Sequence, residues 1–306
     1  MSKKIVFMGT PEFSVQTLEV LAKSNYLLDC VYTQPPKKSS RGQKINLTPV
    51  HKKALEMNFK IKTPKDFNND EDYNYLKSLS PFVIVVVAYG QIIPERFLKL
   101  PEKGFINIHA SLLPKWRGAA PIQRSIMNQE KTTGISFMKI EKDLDTGPYM
   151  KQIKVSINDK TNSKNLSSEL SSLGAKNILG CLERIEKGNV EFCKQVEKLA
   201  TYAKKIKKSE ARLSWNDSAK KNIAKINGLN PDPGAWFEYD GNRYKILQAN
   251  ISKEVGKPGE VLSEELTIAC KDKAIQVTEI QKEGKKKLSI KEFLAGSKIP
   301  KGKIFL

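Results

Sequence analysis

As far as Gly188, short unbroken apolar runs alternate with stretches of helical spacing; beyond it the pattern shortens and turns polar. Lys4 to Met8 is a short apolar strand. Gly9-Thr10-Pro11-Glu12 reads as a helix start, with Thr10 as N-cap, Pro11 at the first helical position and Glu12 in the positive first turn. Val15, Leu18, Leu21 and Ala22 then keep one face apolar. Strand, tight turn and helix make a Rossmann-type opening. The full GxGxxG fingerprint is absent, so no dinucleotide is implied. Leu27 to Tyr32 is a second strand. Thr33 to Leu47, TQPPKKSSRGQKINL, is a basic loop long enough to be functional or disordered. Thr48-Pro49 opens a helix with Val50, Ala54 and Met57 on one face, and His51, beside Lys52 and Lys53, reads as exposed.

Asp70 to Leu79 reads as helix. Phe82 to Ala88, FVIVVVA, has no polar alternation, the signature of a strand buried on both faces in the middle of a parallel sheet. It ends at Tyr89-Gly90-Gln91-Ile92, a site candidate, because doubly wound sheets bind ligands beyond the carboxyl ends of central strands. The next strand and turn are Phe105 to Ile126, with a helix from Pro121. Ile135 to Ile140 and Met150 to Val155 read as strands, and Leu166 to Ile185 as a long helix that Gly188 terminates.

Past Gly188, residues 194–208 look like a linker. A short helix carries Ala219, Ile223 and Ile226 inward. Asp240-Gly241 between Trp236–Tyr239 and Arg243–Gln248 is a hairpin signal. Short strands near 259–264, 266–271 and 274–281, and a helix near 290–295, suggest a small, OB-like β-barrel.

The chain of 306 residues has 39% hydrophobic and 28% charged residues, the composition of a soluble globular protein, and is long enough for two domains. Its net charge of +20 changes the picture. Seven of the 53 basic residues are arginine and the rest lysine. So large an excess suits a polyanionic partner such as nucleic acid. Four scattered cysteines without CxxC, and only two histidines, predict reduced thiols and no metal site. The start, MSKKIVFMG, is too short an apolar run for a signal peptide, and no stretch is long enough to span a bilayer.

The chemistry concentrates in FINIHASLLPKWRGAAPIQRSI, residues 105–126. Asn107, His109 and Ser111 are two apart and share one face of an extended strand, with Ile106, Ile108 and Ala110 opposite. A carboxylate beside the histidine, for which Asp145 in a turn is a candidate, would orient the imidazole, and an asparagine amide donates to an oxyanion. That set suits acyl transfer to an amine. Ser111 as a hydrolytic nucleophile is disfavoured: it lacks a GxSxG elbow and sits on the same strand as the histidine.

These stretches resemble the folate-dependent formyltransferase family over almost the whole chain. The resemblance runs through FMGTPEFSV at 7–15, TPV at 48–50, VVAYGQIIP at 86–94, NIHASLLPKWRGAAPIQRSI at 107–126 and DTGP at 145–148. It continues in TYA at 201–203, EARLSW at 210–215 and NPDPGAW at 230–236. It implies an α/β fold: a Rossmann-like formyltransferase domain (1–188), a linker (189–206) and an OB-like C-terminal domain (207–306). It implies 10-formyltetrahydrofolate as formyl donor, no metal, and the amino group of methionine on initiator tRNA as acceptor. A cytoplasmic monomer with no membrane association is expected. The implied catalytic set is Asn107, His109 and Asp145, with His109 acting as base or as electrostatic partner. Ser111, Leu112, Leu113 and Pro114 match the folate-binding turn, and Tyr89, Gly90, Gln91, Ile92 and Leu144 would wall the pterin pocket. In the basic loop Arg41 matches a key arginine, with Lys37, Lys38 and Lys44 beside it; Lys204, Lys205, Lys207 and Lys208 would track phosphates. The competing readings are a formyltransferase with a UDP-amino-sugar acceptor and a non-catalytic RNA-binding protein.

Overall fold

A computed structural model describes residues 3–39, 44–297 and 299–305. In chain order the elements are β1 (Lys4–Gly9), α1 (Val15–Ala22), β2 (Leu27–Tyr32), β3 (Lys37–Ser39), β4 (Lys44–Asn46), α2 (Pro49–Glu56), β5 (Ile61–Lys62) and α3 (Asp70–Leu79). Then come β6 (Val83–Val87), β7 (Phe105–His109), β8 (Arg117–Gly118), α4 (Pro121–Met127), β9 (Thr132–Lys139), β10 (Tyr149–Ser156), α5 (Ser163–Glu186) and β11 (Tyr202–Ala203). The last are α6 (Ala219–Leu229), β12 (Ala235–Tyr239), β13 (Asn242–Ser252), β14 (Thr267–Ala269), β15 (Ala274–Lys282), β16 (Leu288–Ser289) and α7 (Ile290–Gly296). The chain divides into two units: Met1–Pro121, Gly134–Val155 and Ser167–Ala203 form the first, and Ile122–Thr133, Ser156–Leu166 and Lys204–Leu306 the second.

The first unit is built on a seven-stranded sheet in the order β10-β9-β7-β6-β1-β2-β5. β6 is buried at every position and pairs in parallel with β1 on one side and β7 on the other. A run of β-branched residues fills both faces of such a strand, which is why its sequence lacks alternation. β9 then runs antiparallel to β7, with Asn107 opposite Met138 and His109 opposite Ser136. One face of the sheet carries Val6, Met8, Tyr32, Ile84, Val86 and Phe105, packed with Phe67, Leu76 of α3 and Phe97. α5 lies close to β7, because Gly174 has no side chain: a Cβ there would meet Ile108 Cγ2 at 3.1 Å. α2 and α3 start where a side chain accepts a free backbone N–H. Thr48 caps α2 through His51 N, and Asn69 caps α3 through Asp72 N, with Asp70, Glu71 and Asp72 in that positive first turn.

In the second unit the antiparallel path is β12-β13-β15-β14, with β16 added on β15. The β12–β13 hairpin turns on Asp240 and Gly241 with φ of 49° and 65°, the left-handed pair that an Asp-Gly dipeptide supplies. Trp215, Phe237, Tyr244, Ile246, Ile275, Val277, Phe293 and Phe305 form the core, joined by Ile223 and Ile226 of α6.

Several elements differ from the sequence expectations. Thr10 does not cap a helix. Pro11 precedes a 3-10 turn, and the Thr10 hydroxyl donates to the Tyr89 carbonyl at 2.7 Å. The 33–47 stretch is not an irregular loop, since β3 and β4 pair antiparallel within it, and Arg41 lies outside the described residues. His51 is half-buried, and burial lowers its imidazole below the ordinary value. β9 begins at Thr132, three residues early, because Thr132 and Thr133 suit a strand as well as the apolar residues do. The 259–264 stretch forms only single bridges, Glu260 with Ile304 and Val261 with Ile268. Accordingly the strands make an antiparallel sheet, and among the described residues no ladder closes it into a barrel.

The central strand sets the stability of the first unit. Ile84→Ala removes a fully buried side chain from β6 and is expected to destabilise that unit by about 2–5 kcal/mol. Urea unfolding followed by near-UV signal reads it; an unchanged midpoint would place Ile84 outside the packed core.

Candidate active site

β7 carries the polar face to its end. Asn107 is half-buried, His109 is the last strand residue, and alternation puts both on one side of the sheet. The loop between β9 and β10 returns to bring Asp145 Oδ2 to 3.6 Å from His109 Nδ1, with side chains only 7% and 13% exposed for His109 and Asp145. The other ring nitrogen, Nε2, lies 3.0 Å from the Trp116 carbonyl. A carbonyl only accepts, so Nε2 carries a proton, and Nδ1, facing Asp145, is the ring position where protons can come and go.

Asp145 is held from two directions. Its Oδ2 accepts the Gly118 N–H at 2.8 Å. Its backbone sits at φ 54°, and the carbonyls of Asp145 and Gly147 both accept from the Gln195 amide, at 2.8 and 2.7 Å. Gln195 is oriented in turn by Arg117, whose Nε and Nη2 donate to Gln195 Oε1 at 3.0 and 2.9 Å. Nη1 and Nη2 also make a fork to Glu197 at 2.8 Å each. The Arg117 hydrogen bonds hold the Glu197 carboxyl below the usual carboxylate range. Gly118, at φ 116°, must be glycine: a Cβ would lie 3.0 Å from the Ala203 carbonyl, in the parallel pairing of β8 with β11. Thr201 completes that joint by accepting the Trp116 N–H.

The stretch after His109 is a built turn. Ser111 is fully buried and its hydroxyl donates to the Lys115 carbonyl at 2.6 Å. Ser136 Oγ donates to the Ser111 carbonyl and accepts from Leu113 N, and Gln152 donates to the Leu113 carbonyl. Leu113 is buried, while Leu112 and Pro114 are partly exposed. At the end of β6, Tyr89 is buried beside Phe67, and burial, aided by Asp72, pushes its hydroxyl up. Gly90 is exposed and its carbonyl accepts from Gln34. Gln91 is tied to the 64–67 loop through Phe67 N and the Pro64 carbonyl. Ile92 and Leu144 stand out as bare apolar side chains, 83% and 66% exposed.

Of the basic residues singled out by sequence, Lys37 is exposed on β3, and the backbones of Lys38 and Lys44 lie in the β3–β4 hairpin. Lys204, Lys205, Lys207 and Lys208 are all exposed in the second unit. Sequence reasoning missed Arg117, Gly118 and Gln195. The WRG tripeptide gave a signal for the first two. A glutamine in a polar segment gives none.

The family model "Formyl transferase" matches residues 3–181, and "Formyl transferase, C-terminal domain" matches 205–298. The chain is 53% identical over 304 residues to the methionyl-tRNA formyltransferase of Pelagibacter ubique (strain HTCC1062), covering 99% of this chain and 98% of the relative. It is 42% identical over 306 residues to the enzyme of the same name from Caldanaerobacter subterraneus subsp. tengcongensis, covering 98% and 99%. Among solved structures, methionyl-tRNA formyltransferase from Clostridium thermocellum aligns with a TM-score of 0.59 at 17% identity, over 82% of this chain and 94% of that one. HypX from Aquifex aeolicus, in complex with tetrahydrofolic acid, aligns at 0.66 and 19% identity, over 100% of this chain and 51% of that one. These two show likeness of fold.

The Ser111 hydroxyl donates to the Lys115 carbonyl, a geometry that favours a role in shaping the turn over one as nucleophile. Ser111→Ala is expected to lower stability by about 1 kcal/mol and turnover by less than about tenfold; a loss near that of removing a nucleophile, about 10⁴-fold, would reverse that assignment.

Proposed function

The chain belongs to the formyltransferase family, and on that premise we propose that it transfers a formyl group from 10-formyltetrahydrofolate to the amino group of methionyl-initiator tRNA, for translation initiation. The observation that carries the chemistry is the buried pair of His109 and Asp145, fixed by Trp116 and Gly118 beside Asn107 on β7. As the amine nitrogen bonds to the formyl carbon, the carbonyl electron pair moves to oxygen, where the Asn107 amide donates to the oxyanion. The nitrogen loses a proton, which the His109–Asp145 pair receives through Nδ1. Collapse restores the carbonyl, breaks the bond to the donor nitrogen and returns a proton to that leaving group. No step needs a metal ion.

The donor is placed by the turns around this centre. Ser111, Leu112, Leu113 and Pro114 form one edge, held by Ser136 and Gln152. The exposed Ile92 and Leu144 offer apolar surface of the kind a flat bicyclic ring covers. Tyr89, Gly90 and Gln91 are assigned to the same pocket, held by the bonds of the Tyr89 and Gly90 carbonyls to Thr10 and Gln34 and of the Gln91 side chain to Phe67 and Pro64. For the acceptor, the net charge of +20 and the exposed Lys37, Lys204, Lys205, Lys207 and Lys208 favour a polyanion, with Lys38, Arg41 and Lys44 assigned to the same role. We assign the chemistry to the domain of residues 1–188 and most of the tRNA contact to that of 207–306, with the basic loop contributing from the first; the joining stretch 189–206 packs into the first unit as far as Ala203. The protein works in the cytoplasm as a monomer and away from membranes; among the described residues no helix is long and apolar enough to cross one.

Formyl transfer from 10-formyltetrahydrofolate, offered methionyl-initiator tRNA and a UDP-amino sugar side by side, tests the acceptor. Formylated methionine on the tRNA, with the sugar unmodified, is expected; the opposite product assigns the other acceptor, and no transfer to either leaves an RNA-binding protein. His109→Ala is expected to cut turnover by about 10²–10⁴-fold while leaving tRNA binding in a filter assay unchanged. Equal loss of binding and turnover would remove His109 from the chemistry.

A further inference from the structure

We propose that Gln195 is a positioning residue for the transfer step: its side-chain amide fixes the turn that presents Asp145 to His109. The inference rests on the assignment of Asp145 and His109 to catalysis.

Three consecutive residues control both members of the pair. The Trp116 carbonyl holds His109 Nε2, the Arg117 guanidinium holds Gln195, and the Gly118 N–H holds the Asp145 carboxylate. Asp145 has a side chain yet sits in the left-handed region, at φ 54°. Such a residue keeps that conformation where its surroundings over-determine it. Gln195 supplies the determination. One NH₂ group donates to the carbonyls of residues 145 and 147, so the turn cannot relax without breaking two hydrogen bonds at once. The orientation of the amide is not free either. Flipping it would turn its NH₂ group toward the donors of Arg117, and Arg117 is itself anchored by the fork to Glu197. Arg117 is 1% exposed as a residue, so these partners stand in for water it cannot reach.

The carboxylate is thereby referenced to β8 twice, once through the Gly118 N–H and once through Arg117 and Gln195. Removing the second constraint leaves Asp145 tied to β8 by its carboxylate alone. Its 3.6 Å approach to Nδ1 then varies with the turn. A misplacement of about 1 Å in a catalytic group costs roughly 10²-fold in rate. Gln195 reaches neither substrate in this scheme; it acts only through Asp145.

The test uses the full-length protein with Gln195→Ala, Gln195→Glu, Asp145→Asn and the double variants, in the tRNA formylation assay. Gln195→Glu is the deciding variant. It retains an acceptor for Arg117, and so the fold, while removing the N–H groups that hold the turn; the thermal midpoint checks this. Expected are a kcat loss of about 10–100-fold in both Gln195 variants and KM values for both substrates within about 3-fold of wild type. In the Asp145→Asn background, either Gln195 change should cost less than about twofold more, because the residue has nothing left to position. The same fold-loss in both backgrounds would make Gln195 a general structural residue and overturn the proposal, as would wild-type kcat in Gln195→Glu. Wild-type transfer by Asp145→Asn alone would instead sink the assignment of the site on which the proposal stands.

Discussion

The buried guanidinium of Arg117 is the constraint on which the site depends. A charge removed from water has to find a full set of partners in the protein, or it destabilises the fold by several kcal/mol. Arg117 makes four hydrogen bonds to Gln195 and Glu197, about eighty residues away along the chain. That requirement welds the segment after α5 onto the first unit, where β11 pairs with β8 and Thr201 receives the Trp116 N–H. A stretch whose composition is that of a spacer thus becomes part of the scaffold. The first unit runs to Ala203 for the same reason.

The sheet and this joint divide the work of placing atoms. The parallel strands β1, β6 and β7 set the backbone of Asn107 and His109 through ladders that a β-branched core makes rigid. Asp145 belongs to a loop, and a loop has no ladder. Its precision comes from hydrogen bonds to Gly118 and Gln195. A second set of tethers works at the strand ends: Thr10 to the Tyr89 carbonyl, and Gln34 to the Gly90 carbonyl and Thr10. They join the turns after β1, β2 and β6, so the base of the β3–β4 hairpin is fixed to the turn after β6.

What was legible in the sequence follows from which forces are local. FVIVVVA announced a central strand because burial on both faces needs apolar residues at every position. Asp240-Gly241 announced a hairpin because few residues accept positive φ. Asn107 and His109 were legible from the two-residue period of a strand. Thr10 misled because a hydroxyl before Pro-Glu has the chemistry of a cap, while its actual partner, Tyr89, is distant in sequence. The stretch 259–264 misled because its apolar residues are used in single bridges and core packing. Gln195 was invisible: its importance lies wholly in partners at 117, 145 and 147, and no local pattern encodes them.

The same logic explains how this chain distributes its two kinds of cation. Each of the six arginines within the described residues has a partner in the protein. Arg117 pairs with Glu197, Arg124 with Glu210, Arg96 with Asp70 and Arg184 with the Asn189 carbonyl, while Arg212 and Arg243 flank Glu238. The planar fork of arginine suits such fixed geometry, and lysine, a hydrated point charge on a flexible stem, does not. The surplus charge is therefore left to lysines, which make up 46 of the 53 basic residues. Point charges on mobile stems follow a phosphate backbone without reading base edges. Under the proposed function, a surface of this kind would supply affinity for tRNA as a polyanion rather than discrimination among tRNAs.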